Sequence, residues 1–191
     1  MNPATSLDSR VPRRKLDVHD YHRMGEAGIL TPGDRVELID GEIIQMTPVG
    51  DPHVDLIIVL TARLSVAVAN QALVSVQNPL RLDDHTEPEP DLVLLRLDRR
   101  RGVPLAEDAL LVVEVADSSL AYDRDIKIPR YARSGIPEAW LFDIANATLT
   151  RYQIPEMDEY MHQDVLDLSQ PISPLKMPDA TVDLSNLFAT V

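Results

Sequence analysis

The chain has 191 residues, no cysteine and a formal net charge of -13. The acidic balance argues against a broad nucleic-acid-binding surface, because such affinity comes mostly from Lys and Arg side chains that neutralise phosphates. The missing cysteines exclude disulfides and thiolate zinc sites and fit a cytoplasmic protein, and no apolar stretch has the roughly 18 residues of a membrane span.

The amino-terminal region is predicted to form an arm and then a helix. Residues 1–15 mix Ser, Asp, Pro, Arg and Lys, so we expect a flexible arm, with a single domain over residues 16–191. Asp17 is a suitable cap for a helix over residues 20–30, and Thr31-Pro32-Gly33 would end it.

A hairpin and a long helix follow. Residues 36–46 form two short apolar runs around Asp40-Gly41, a dipeptide that favours a tight hairpin turn. The next helix is predicted over about residues 53–70, with Asp51 as its cap and Pro52 near its start. Its three- and four-residue spacing predicts a buried face made of Leu56, Ile57, Leu60, Leu64 and Val68.

The rest of the chain is richer in strands than in helices. We predict strands at residues 73–76, 80–82, 92–95, 110–113, 138–143 and 148–152. A helix is predicted from about Tyr122 to Ser134, ended by Gly135 and either starting late or bending at Pro129. The tail alternates short strands and prolines, and Val182 to Phe188 are expected to close it as a short helix. This order predicts an α+β fold.

Two carboxylates border the most apolar runs of the chain. Asp91 precedes the run at residues 92–95, and Glu114 follows the run at residues 110–113. A carboxylate at the end of a buried strand is costly unless it is paired or binds a metal. Two such acids on adjacent strands could share one divalent cation, and Lys127 follows on a predicted helix. These three groups are suited to metal-assisted phosphodiester hydrolysis.

Three more groups could belong to this site. A backbone carbonyl near Val115 would add a hard oxygen ligand beside the two acids, and Glu37 on the first hairpin could enlarge the set. A strand acid such as Glu37 more often faces solvent. His53 could contact a phosphate or assist proton transfer, although a histidine at the start of a helix is more often structural. Basic clusters at residues 13–15 and 96–101 would offset part of the acidity, or would simply decorate solvated loops.

Four motifs in fixed order resemble the Uma-two family of restriction endonuclease-like proteins. They lie at residues 36–43, 87–92, 114–119 and 122–127, and the similarity continues through residues 131–141. The family is grouped with the PD-(D/E)XK nucleases. This resemblance implies a mixed β-sheet flanked by helices and acids that bind Mg²⁺ or Mn²⁺.

The same resemblance assigns roles to individual residues. Asp91 corresponds to the motif aspartate, Glu114 to the second acid and Glu37 to the early acid of the fold. Ala116 occupies the place of the usual strand lysine, and Lys127 would supply that role from the following helix. We therefore expect a metal-dependent endonuclease that acts on DNA in the cytoplasm, forms a homodimer and has no membrane partner. The alternative is a non-catalytic binding or regulatory module on the same fold.

Overall fold

The computed structural model describes residues 12–31 and 33–190. Residues 1–11 of the predicted arm lie outside the described residues. The described helices are α1 (Val18–Glu26), α2 (Asp51–Val68), α3 (Leu120–Tyr122) and α4 (Ile128–Arg133). The described strands are β1 (Val36–Ile39), β2 (Glu42–Gln45), β3 (Leu73–Val76), β4 (Leu92–Leu95), β5 (Ala109–Ala116), β6 (Glu138–Asp143), β7 (Thr148–Glu156) and β8 (Glu159–Val165). The described chain also has two 3₁₀ segments, Ala106–Asp108 and Leu187–Thr190, and a π-helical segment, Asp123–Lys127.

The strands of the described region form a small hairpin and a larger mixed sheet. β1 and β2 pair antiparallel, and the larger sheet has the order β3-β4-β5-β6-β7-β8. Only β5 and β6 pair parallel among these six strands, and the other neighbours are antiparallel. The parallel pair requires a long connection, which the helical segment 120–133 provides. The structure thus confirms the predicted α+β class with a mixed sheet.

Local sequence accounts for the two best-predicted elements. Asp40 and Gly41 both have positive φ angles, 48° and 75°, which is the geometry of a type I′ hairpin turn. α2 buries each of the five residues predicted for its inner face. Its N-cap is Gly50 and not Asp51, which is the first helical residue. The prediction of Asp51 as the cap is therefore wrong, because the helix begins one residue earlier, with Pro52 in its first turn.

The two faces of the larger sheet carry different covers. α2 packs on one face together with a carboxyl-terminal segment whose buried apolar residues are Ile172, Met177, Ala180, Val182, Leu184 and Leu187. The helical segment 120–133 packs on the other face through Ile128, Tyr131 and Ala132, all of which are buried. Alternate residues of β5 therefore enter two separate cores, with Val113 on the α2 side and Val112 on the other.

Several element predictions are corrected by the structure. Residues 80–82 form no strand, since Arg81 makes a single isolated bridge to Leu105. β5 extends to Ala116, so Glu114 lies inside the strand and not after it. The predicted helix over 122–134 begins earlier, at Leu120, and contains the π-helical segment immediately before Pro129. None of the described helices is long and apolar enough to cross a membrane.

Candidate active site

Asp91 and Glu114 lie side by side: Asp91 directly precedes β4, and Glu114 belongs to the neighbouring strand β5. Leu92 of β4 pairs with Val113 of β5 in antiparallel register, so the residue before β4 lies level with Glu114. The Val115 N–H donates a hydrogen bond to Asp91 Oδ2 at 2.9 Å. The Asp91 carboxylate therefore accepts a hydrogen bond from β5 at a point that β4 does not reach. This contact with the main chain fixes the position of the carboxylate.

The Val115 carbonyl points to the same side as Asp91. Carbonyls of consecutive strand residues point to opposite sides of the strand. The Ala116 carbonyl accepts a hydrogen bond from Ile144 N–H, which follows β6. The preceding carbonyl, that of Val115, must then point away from β6, toward the end of β4. A main-chain oxygen thus lies on the side of β5 from which Asp91 approaches.

Glu114 is buried beneath the helical segment 120–133. Its side chain lies on the face of β5 opposite Val113, and the residue is 1% exposed. Tyr131 Oη donates to Glu114 Oε1 at 2.5 Å, and Lys127 Nζ lies 3.2 Å from the same oxygen. Both donors come from the covering helix, one α-helical turn apart. The strand and its helical cover are therefore joined through a carboxylate.

The π-helical segment explains how Lys127 reaches this position. Pro129 has no N–H, and its ring crowds the carbonyl four residues earlier, which disfavours a regular helix at this point. The helix widens instead, and Ile128 N–H bonds to the Asp123 carbonyl five residues back. The Lys127 side chain is 5% exposed and points toward Glu114 and Glu37. Ala116 occupies the strand position expected for a lysine, and Lys127 instead places its ammonium, from the helix, 3.2 Å from Glu114 Oε1.

Glu37 completes the charge environment from β1. Its Oε1 accepts a hydrogen bond from Tyr122 Oη at 2.7 Å, and its Oε2 accepts one from Glu89 N–H at 3.0 Å. Lys127 Nζ lies 3.6 Å from Oε2. The residue is 1% exposed, so a solvent-facing Glu37 is excluded. The small hairpin thereby contributes one carboxylate to the groups around Lys127.

His53 contacts Asp91 from the first turn of α2. Its Nε2 lies 3.0 Å from Asp91 Oδ1. The side chain is buried, and its Nδ1 has no hydrogen-bond partner in the described part of the chain. Asp91 therefore has one oxygen on a main-chain N–H and the other on an imidazole, and both contacts hold the carboxylate in one orientation.

Asp123, Tyr122 and Tyr131 also belong to this site and were not among the predicted residues. Asp123 Oδ1 lies 4.0 Å from Lys127 Nζ, and Ser119 Oγ donates to Asp123 Oδ2 at 2.5 Å. Asp123 and Tyr131 are four residues before and four residues after Lys127. Side chains at that spacing lie on one face of a helix, so this pattern could have identified both residues once Lys127 was chosen.

The electrostatics of the site are dominated by buried acids. Burial raises the pKa of Glu114 well above its usual value, and Asp123 and Asp91 raise it further, against the effect of Lys127. Burial also raises the pKa of Asp123 to about 6. Burial alone would lower the pKa of Lys127, but the surrounding carboxylates, first that of Glu114, raise it above its usual value. The surrounding carboxylates therefore favour the protonated form of Lys127, and the acids that surround this lysine outnumber it.

The site opens into a cleft of about 1030 Å³. Its walls include residues of α1 and of the segment after it, residues 45–50 and residues 117–119. The basic cluster at residues 96–101 lies elsewhere, because Asp91 precedes β4 and Arg96 follows it. Lys15 of the other basic cluster is paired with Glu42 at 2.8 Å. Neither cluster therefore supplies positive charge to the cleft.

The donor set fits a hard divalent cation. Carboxylate oxygens of Asp91 and Glu114 and the Val115 carbonyl are the ligand types that Mg²⁺ and Mn²⁺ prefer. Among the described residues, no group of three or more His, Cys, Asp or Glu side chains is arranged to hold a metal ion. A cation here would thus depend on two side chains, a main-chain oxygen, water and substrate, as is usual for Mg²⁺.

Comparisons with known proteins identify the family and the fold of the chain. A family model described as Uma2, putative restriction endonuclease, matches residues 18–185. A solved structure described as a putative nuclease belonging to DUF820, from Anabaena variabilis ATCC 29413, superposes with a TM-score of 0.72. That match has 15% sequence identity and covers 91% of this chain and 98% of the other. At this identity the likeness concerns the fold. A comparison with curated proteins gives no match.

Proposed function

Because the chain belongs to the Uma2 family, described as putative restriction endonucleases, we propose that it is a metal-dependent endonuclease that hydrolyses DNA phosphodiester bonds. The observation that carries this proposal is the convergence of Asp91, Glu114 and Lys127 at one end of the sheet. The absence of cysteine agrees with action in the cytoplasm. The family resemblance drawn from the four motifs is confirmed, and the reaction is what remains to be measured.

The cation-binding groups in this proposal are Asp91, Glu114 and the Val115 carbonyl. When bound there, Mg²⁺ or Mn²⁺ would neutralise charge on the phosphate and favour ionisation of a water molecule. Asp91 is held for this purpose by Val115 N–H and His53. In hydrolysis the water oxygen bonds to phosphorus while the bond from phosphorus to one sugar oxygen breaks, and that oxygen leaves as a hydroxyl.

Lys127 stabilises charge and does not act as a base. The neighbouring carboxylates keep it protonated, so its ammonium can donate to a phosphate oxygen as negative charge develops. Glu37 Oε2 also contacts this ammonium, at 3.6 Å, in addition to Glu114 Oε1 at 3.2 Å. A lysine fixed between two carboxylates is oriented before substrate arrives, which lowers the reorganisation that the transition state requires.

His53 and Glu37 act in this scheme by positioning other groups. His53 Nε2 fixes Asp91 Oδ1, and Glu37 fixes both Lys127 and Tyr122. Their loss should impair catalysis less than the loss of the groups that they orient. The sequence predicted a catalytic role for His53. We propose the more limited role of positioning Asp91 through this contact.

The test is DNA cleavage with Mn²⁺ or Mg²⁺ by the purified chain and two variants. Asp91→Asn and Lys127→Met should each lower the rate by about 10²–10³-fold, the cost of one well-placed charged donor or ligand. Asp125→Asn is the matched control, since Asp125 is an exposed acid on the same helical segment and pairs with Arg124. Circular dichroism spectra of all four proteins check the fold. Equal cleavage by all four would assign the activity to a contaminant.

A second candidate is a non-catalytic binding or regulatory module, formed as a homodimer. The observation in its favour is that the candidate ligands already have partners: Tyr131 and Lys127 contact Glu114, and Val115 N–H and His53 contact Asp91. A cation must compete with these contacts. DNA that is bound but never cut, with any divalent metal tested, would favour this candidate, and sedimentation would give its oligomeric state.

A further inference from the structure

We propose that the cleft accepts a single strand of DNA, such as an unpaired segment or a frayed end, and excludes an intact duplex. The inference rests on the proposed phosphodiester hydrolysis and names the substrate class for that site. It is carried by the size of the cleft, the depth of the reacting groups, the charge of the walls and the attachment of α1.

The size of the cleft suits a few nucleotides. Its volume of about 1030 Å³ is just above the range of small-ligand pockets, which is roughly 300–1,000 Å³. The side chains of Glu114 and Lys127 are only 2% and 5% exposed. A phosphate must therefore descend between the walls to reach them, which a strand freed from base pairing can do.

The walls carry the wrong charge for a duplex. Of the described residues that line the cleft, seven are acids and two are Arg or Lys. The acids are Glu26, Glu37, Glu89, Asp91, Glu114, Asp117 and Asp123. A duplex carries one phosphate charge per about 1.7 Å of axis and a single strand one per about 3.4 Å. A cation bound by Asp91 and Glu114 would offset the acids of the buried site, whereas Glu26, Glu89 and Asp117 would remain to repel the denser charge of a duplex.

Aromatic side chains line the same cleft and offer stacking surfaces. Tyr21 and His22 of α1 have ring centroids 6.0 Å apart, and Tyr122 faces the cleft beside Lys127. Proteins that bind single strands combine such rings with the backbone contacts, because every base has a face that can stack. The bases of a duplex are already stacked on each other and cannot use these rings.

α1 is the wall that restricts access, and it is lightly attached. Among the described residues of this helix, Val18 alone is buried. The helix is held mainly by polar contacts: Tyr21 Oη donates to the Val36 carbonyl at 2.8 Å, and His22 Nε2 lies 2.5 Å from Glu87 Oε1. An element with so little apolar packing opens locally at small cost. Loosening α1 should therefore widen the cleft without unfolding the sheet.

The experiment compares three DNAs of one sequence with Mn²⁺: the single strand, the blunt duplex, and the duplex with an internal unpaired bubble. We expect the single strand and the bubble to be cut, and the duplex to be cut about 100-fold more slowly, the factor for opening roughly two base-pair steps. Equal rates on single strand and duplex would overturn the substrate inference and leave the nuclease proposal intact. No cleavage of any of the three would overturn the nuclease proposal itself.

Variants of α1 test whether this helix sets the preference. Val18→Ser removes its buried anchor, and Tyr21→Phe removes only the hydroxyl that contacts Val36. Both should raise duplex cleavage relative to single-strand cleavage, with Tyr21→Phe remaining informative if Val18→Ser folds poorly. His19→Gln, an exposed change on the same helix, should leave the ratio unchanged. An unchanged ratio in both α1 variants would overturn the role of this wall.

Discussion

Two fully buried carboxylates on adjacent strands have opposite surroundings. Glu138 of β6 accepts hydrogen bonds from Trp140 Nε1 at 2.9 Å, Gln153 Nε2 at 3.0 Å and Leu175 N–H at 2.5 Å. These three donors are neutral. Glu114 of β5 faces an ammonium and a phenol, with further acids close to it. Both residues are shielded from water, yet one lies in a neutral network and the other in an acidic cluster.

The difference separates an acid with structural contacts from the acid that we propose to be functional. Neutral donors satisfy a buried carboxylate and hold elements together, and here they attach the segment around Leu175 to the sheet. Clustered acids repel each other, which costs stability unless a proton or a cation is bound. Burial alone therefore does not identify a catalytic acid. The number of carboxylates around it, compared with the number of permanent cations, is the better indicator.

The largest expected effect is a difference in DNA-cleavage rate between variants at Glu114 and variants at Glu138. Glu114→Gln should lower the rate of DNA cleavage by about 10²–10³-fold, because a candidate metal ligand and the charge opposite Lys127 are lost together. Glu138→Gln should leave the rate per folded molecule within the same order. The measurement is the Mn²⁺-dependent cleavage rate, normalised to the folded fraction from circular dichroism. Equal losses in the two variants would contradict the separation of roles.

For stability, by contrast, the large effect is expected at Glu138. Glu138→Ala leaves three N–H donors without their acceptor, one of them on the fully buried Trp140, and should lower the free energy of unfolding by about 3 kcal/mol. Trp140 is the only tryptophan of the chain, so its fluorescence follows urea unfolding directly. Asp158→Ala, at an exposed acid paired with Arg133, is the control and should change the free energy by less than about 1 kcal/mol. A Glu138→Ala variant as stable as this control would refute the structural role.

Cations should stabilise the acidic cluster and not the neutral network. At a Mn²⁺ concentration about 100 times its dissociation constant, linkage predicts about 2.7 kcal/mol of added stability. Asp91→Asn should remove most of this gain, and Asp125→Asn should retain it. The measurement is the thermal unfolding midpoint with and without Mn²⁺, in each protein. A midpoint of the unmodified chain that Mn²⁺ does not move would speak against cation binding at Asp91 and Glu114.

The smallest expected effect is a pH dependence from Asp123. Its pKa is raised by burial from 3.8 to about 6, so between these values the folded state binds more protons than the unfolded state. The free energy of unfolding must then fall as pH rises through this window, by about 2 kcal/mol. Asp123→Asn should reduce the fall, measured by urea unfolding in EDTA at pH 4 and pH 7. Identical pH profiles for the two proteins would contradict the raised pKa.

The elements predictable from sequence were those with a local cause. The Asp40-Gly41 turn needs only positive φ angles, and α2 follows from apolar spacing. Residues 80–82 have a strand-like composition, but their main chain pairs in part with loops, and Arg81 N–H bonds to the Pro104 carbonyl. β8 lacks a regular alternation of buried and exposed residues, because it lies at the edge of the sheet. Such outcomes depend on neighbours distant in sequence.

The site was partly predictable for the same reason. Asp91 and Glu114 bordered apolar runs, and the placement of Lys127 near Glu114 from a helix was expected from the missing strand lysine. The π-helical turn that directs Lys127 could be anticipated only as an irregularity at Pro129. The contact between His53 and Asp91 joins α2 to β4 and has no local signal. The roles of these residues remain predictions for the experiments above.

The carboxyl-terminal cover of the sheet has a consequence for biosynthesis. Ile172, Met177, Val182 and Leu187 are buried against α2 and the sheet, and Glu138 holds the main chain at Leu175. A chain emerging from the ribosome therefore carries every candidate active-site residue long before the opposite face of its sheet can close. During that interval the apolar face remains open to chaperones or to aggregation. Nascent chains stalled before Ile172 should accordingly be cleaved by proteases far faster than the released protein.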